Sequence, residues 1–76
     1  MKVLTDDIIA VIREVGVSAD VSRIRADTRL SEAGIDSLDM MNVLLGIEQK
    51  FGVKIPDERI NALRTVDDIA SCLQSL

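Results

Sequence analysis

One segment governs what this chain can become. From Asp36 to Phe51, apolar side chains recur at steps of three and four residues with no proline to interrupt them. Met40, Val43, Leu44, Ile47 and Phe51 share one face and predict an inward stripe. Leu38, Met41 and Leu45 share another and form a second apolar strip, more than packing on a single core requires. Asp36 is the expected N-cap and Gly52 the expected C-terminal boundary. A helix of this kind needs apolar partners, and the rest of the chain supplies them in helical form.

Thr5 is the expected N-cap of a preceding helix, with Asp6 and Asp7 in its first turn. Ile8, Ile9, Val11, Ile12 and Val15 then follow at helical spacing until Gly16 stops the pattern. From Val17 to about Ile35 the period is lost, and Val21, Ile24, Leu30 and Ile35 are expected to pin this long connection to the core. Pro56 keeps Ile55 extended and suits a helix start, so a short third helix is predicted from Asp57 to about Leu63. Thr65 with Asp68 three residues on resembles a capping box, and it introduces a last helix with Val66, Ile69, Cys72 and Leu73 facing inward. The expected fold is all-α: a single domain over residues 1–76, with four helices of which the third is short.

Composition narrows the function. Hydrophobic residues make up 47% of the 76, yet Phe51 is the only aromatic, so the core must be aliphatic and able to shift around a guest. The formal net charge of −4 disfavours nucleic acid as a partner and favours basic protein surfaces. Histidine is absent, so Ser-His and Cys-His pairs are excluded, and no cluster of side chains has metal-ligand spacing. Gly16, Gly34, Gly46 and Gly52 are scattered and make no phosphate-cradling loop. A single cysteine and a start, Met1 to Asp7, that turns acidic before any signal segment forms fit a cytoplasmic protein, a monomer is expected, and no run reaches membrane-spanning length.

Against this background the segment Gly34-Ile35-Asp36-Ser37-Leu38-Asp39 stands out, because it puts a serine in the first turn of an amphipathic helix after a long loop. Its hydroxyl is expected to be exposed. An anionic group esterified there would meet free backbone NH groups and the positive end of the helix dipole, which offset repulsion from Asp36 and Asp39. A serine at a helix start is ordinary by itself.

The flanking sequence makes it less so. Leu30 to Leu76 resembles the acyl carrier protein family: Asp36-Ser37-Leu38 matches the attachment motif, joined by Phe51-Gly52-Val53-Lys54-Ile55-Pro56-Asp57-Glu58 and Thr65-Val66-Asp67-Asp68-Ile69 at the family's distances. The first 29 residues fit its first helix and loop more loosely. The resemblance implies a four-helix acyl-carrier bundle that does no chemistry itself. It implies a 4'-phosphopantetheine arm moved from coenzyme A onto Ser37 by a phosphopantetheinyl transferase, with Asp36 holding the serine. Acyl thioesters on that arm would pass between acyl-loading, condensing and acyl-transferring enzymes of fatty acid, polyketide or related lipid pathways.

The resemblance further implies that Leu38, Asp39, Met41, Asn42, Leu45 and Glu48 form the docking face for partners with basic patches. The alternative for the apolar strip is cover by the loop before it. Between residues 36 and 58, Asp36, Asp39, Glu48, Asp57 and Glu58 outnumber Lys50 and Lys54 and would steer such encounters. An apolar cargo would lie near Ile47, Ile55, Ile60, Leu63 and Ile69, which are also core residues. Cys72 stands where many relatives carry an aromatic; it is either space at the pocket floor or a buried structural cysteine.

Asn42, Gln49 and Lys50 replace common acids, and Arg23, Arg25 and Arg29 make the loop basic. That basic stretch is either a solvated loop balanced by Asp20, Asp27 and Glu32 or a mark of a carrier with dedicated partners. Two rivals remain: an aminoacyl or peptidyl carrier of a nonribosomal pathway, disfavoured by Asp36 and the acidic flanks, and an unmodified helical interaction domain.

Overall fold

The structure, a computed structural model, describes residues 3–76, so Met1 and Lys2 lie outside it. The described residues are helical throughout their regular structure, as expected: α1 (Thr5–Val15), α2 (Ser37–Phe51), α3 (Asp57–Ile60) and α4 (Val66–Gln74), with one 3-10 turn at Val21–Arg23. α1 is the hub, packing closely on both α2 and α4.

The core is aliphatic. Ile8, Val11 and Ile12 of α1 meet Val43, Leu44 and Ile47 of α2 and Val66, Ile69, Cys72 and Leu73 of α4, all buried. Met40 and Phe51, expected in the inward stripe, pack at its edge and are only half-buried. Ile24, Leu30 and Ile35 pin the long connection as predicted, while Val21 is half-buried. Two backbone hydrogen bonds stitch that connection to the far end of the chain: the Leu30 NH donates to the Arg64 carbonyl at 2.9 Å, and the Asp67 NH to the Ala26 carbonyl at 2.9 Å.

Gly16 and Gly52 end α1 and α2 at φ of 77° and 65°, left-handed conformations that a residue with a Cβ rarely adopts. Two boundaries differ from the sequence reading. The N-cap of α1 is Leu4 rather than Thr5, because the Asp7 carboxylate reaches back to accept the Leu4 NH at 3.2 Å and draws Thr5 into the first turn. α3 closes at Ile60 rather than near Leu63, since the chain must turn so that Leu63 enters the core and Arg64 meets Leu30. The capping box at α4 forms as read: Thr65 Oγ1 accepts the Asp68 NH and Asp68 Oδ2 accepts the Thr65 NH. Among the described residues, no helix is long and apolar enough to cross a membrane.

Candidate functional site

Ser37 is the first residue of α2 and is exposed. Asp36 caps the helix, its Oδ1 accepting the Asp39 NH at 2.8 Å and its carbonyl the Met40 NH at 2.9 Å. That leaves the Ser37 and Leu38 NH groups with no intrachain acceptor among the described residues. A hydroxyl is thus presented beside two open donors at the positive end of a four-turn helix, where a phosphate ester is stabilised.

Ser37 also borders an open groove of about 830 Å³. Leu30 and Ile35 of the long connection, Met40, Met41 and Leu44 of α2, and Ile60 and Leu63 at α3 make its apolar lining, with Arg29, Asp36 and Arg64 as the charged members. Of the five residues expected at an acyl pocket, Ile60 and Leu63 line this groove. Ile47, Ile55 and Ile69 do not; they are closed into the core at 0%, 3% and 0% exposure. Cys72 is likewise buried away from the groove, with Arg59 Nη1 at 3.8 Å from its sulfur, which is the structural alternative.

The groove members that sequence reasoning passed over are informative. Met40 and Leu44 sit three and seven residues beyond Ser37 and so share its side of α2, a signal present in the spacing. Leu30 and Ile35 belong to a connection without periodicity and carried no such signal.

The second apolar strip is uncovered: Leu38, Met41 and Leu45 are 69%, 62% and 52% exposed, so the loop does not pack over them. Asn42 beside them is exposed and Asp39 half-buried. Glu48 belongs less to this surface than the resemblance implies, because it is half-buried and its Oε2 accepts the Ile55 NH at 2.8 Å across the α2–α3 connection.

A serine presented this way, flanked by an apolar groove, offers a point where a phosphate ester could be attached. Comparison agrees. The family model described as "Phosphopantetheine attachment site" matches residues 6–73. An acyl carrier protein of Bdellovibrio bacteriovorus is 34% identical over 64 residues, covering 84% of this chain and 81% of its own. One of Helicobacter pylori is 33% identical over 72 residues, covering 93% and 91%. Acyl carrier protein 2, chloroplastic, of Arabidopsis thaliana is 30% identical over 71 residues, and this chain spans 52% of its length. The chain belongs to the acyl carrier protein family, whose members bear a phosphopantetheine arm and are carriers rather than enzymes.

Proposed function

We propose that Ser37 is the attachment point of the arm and that residues 1–76 act as one carrier domain, holding acyl intermediates as thioesters between enzymes of fatty acid, polyketide or related lipid synthesis. The observation that carries this reading is the exposed Ser37 hydroxyl beside the open Ser37 and Leu38 NH groups. The hydroxyl oxygen takes the phosphoryl end of the arm as the pyrophosphate linkage of coenzyme A breaks and its nucleotide half leaves. When bound, the arm supplies the thiol on which the acyl group rides. The chain's own part is to present Ser37, to hold the new phosphodiester against the helix start, and to shelter apolar cargo along Leu30, Met40, Leu44, Ile60 and Leu63. The apolar members of the groove lining are aliphatic or methionine side chains, which suit a hydrocarbon chain. The partners are a phosphopantetheinyl transferase and acyl-loading, condensing and acyl-transferring enzymes, met through Leu38, Met41 and Leu45. The working place is the cytoplasm, in keeping with a chain that carries a single cysteine.

Incubation with coenzyme A and a broad-specificity transferase should add the mass of one phosphopantetheine to the parent and none to Ser37→Ala, read by intact mass. Addition to Ser37→Ala, or none to the parent while a control carrier is modified, sinks the assignment.

A further inference from the structure

Arg29 and Arg64 lie far apart in sequence yet line the same groove as Ser37. The backbone explains the meeting, because Leu30, next to Arg29, donates its NH to the carbonyl of Arg64. Neither guanidinium enters an ion pair or a side-chain hydrogen bond among the described residues. Arg23 pairs with Asp20, Lys50 with Glu14, and Arg59 reaches Ser75. The one acid in the groove lining, Asp36, already commits Oδ1 to the Asp39 NH. The groove therefore has a surplus of positive charge in a chain whose net charge is −4.

An apolar trough alone would take a hydrocarbon tail and leave these cations idle. A guanidinium is a planar fork matched to the two oxygens of a carboxylate or a phosphate, and Arg29 and Arg64, both exposed at the border of the groove, offer such a group charge-assisted hydrogen bonds. We propose that Arg29 and Arg64 form a two-guanidinium clamp for an oxyanion brought into the groove from Ser37. Its source is the phosphodiester of the arm or a carboxylate on the acyl cargo. The proposal rests on Ser37 being the attachment point.

The test uses the full chain and the variant Arg29→Gln with Arg64→Gln, with Arg25→Gln as control, an exposed loop arginine outside the groove. Each is converted to the free-thiol form and to two acyl forms of equal length, one methyl-ended and one carboxylate-ended. Melting temperatures are read as differences from the unmodified form of the same variant, which removes any general loss of stability, and the phosphodiester is followed by phosphorus NMR. A clamp for cargo predicts that the carboxylate-ended form gains roughly 4 °C or more over the methyl-ended form in the parent and in Arg25→Gln, and that the double variant loses this gain. A clamp for the arm predicts a displaced phosphorus resonance and a similar loss in the double variant for every modified form, whatever the cargo. If the double variant matches Arg25→Gln in both measurements, the clamp does not exist. Intact mass is read first, and failure of the parent to gain the arm overturns the attachment reading itself.

Discussion

At Glu48, one carboxylate oxygen accepts the Ile55 NH at 2.8 Å, so this side chain holds the α2–α3 connection before it can greet any partner. Removing a partly buried acceptor of this kind costs about 1 to 2 kcal/mol. Glu48→Lys should therefore melt several degrees below the parent, while Glu48→Gln, which keeps an acceptor oxygen, should recover most of the loss; equal melts for both would make the bond idle. A contact spanning seven residues across a bend leaves no periodic trace, so nothing in the sequence set it against the docking role that the resemblance implied for Glu48. Asp20, by contrast, makes its contact within two residues, as its carboxylate accepts from the hydroxyl and NH of Ser22. These bonds, with Arg23 nearby, hold the carboxyl below its ordinary value. A depressed folded-state pKa gives stability that is whole above the unfolded value and fades as pH falls through the folded one. The melting-temperature gap between the parent and Asp20→Asn should accordingly stay level above the ordinary value of 3.8 and narrow below it.

Helices α1 and α2 approach so closely that Gly46 is part of the fit. A Cβ there would lie 2.9 Å from Val15 Cγ1 and 3.1 Å from Val11 Cγ1, both on β-branched side chains with little rotamer freedom in a helix. Gly→Ala in an exposed helix gains about 1 kcal/mol, but forcing a methyl between packed valines costs about 1 to 3 kcal/mol. Gly46→Ala should consequently lower the melting temperature, and an unchanged or raised value would show that the helices can part at no cost. The three longer helices were legible because their apolar periodicity, glycine stops and Thr65–Asp68 box all agree. Of the shorter elements, α3 was legible in its existence and its start at Asp57 but not in its end, and the 3-10 turn at Val21–Arg23 was not read at all. α3 is shorter than read because four residues have no helical stability of their own, and tertiary demands on Leu63 and Arg64 decide where it stops. Leu4 displaces Thr5 as cap because an acid at the third position can serve the backbone equally well from inside the helix.

Across the molecule, which spans 28 × 22 × 20 Å, the buried aliphatic set and the exposed strip of Leu38, Met41 and Leu45 are separate surfaces. Met41→Ala should cost under about 1 kcal/mol because the side chain is 62% exposed. The same variant should slow modification by the transferase, read as initial rates at equal melting behaviour; an unaltered rate with a lower melt would make the strip structural. The exposed helix-start serine and the exposed strip were readable from one helix, whereas the groove was not, since its walls come from a loop, from α2 and from the chain near α3 that only tertiary structure assembles. One of those walls is unlike the others. α3 has no side-chain cap, buries no residue fully, and is not among the closely packed helix pairs. Such an element opens at less cost than the whole domain unfolds. Its backbone protons, with those of Ala62 and Leu63 that bond back to Arg59 and Ile60, should trade for deuterium far sooner than those of Ile47 or Leu73. If the groove holds a guest as proposed, α3 is the wall that yields first, while α1 stays packed on α2 and α4.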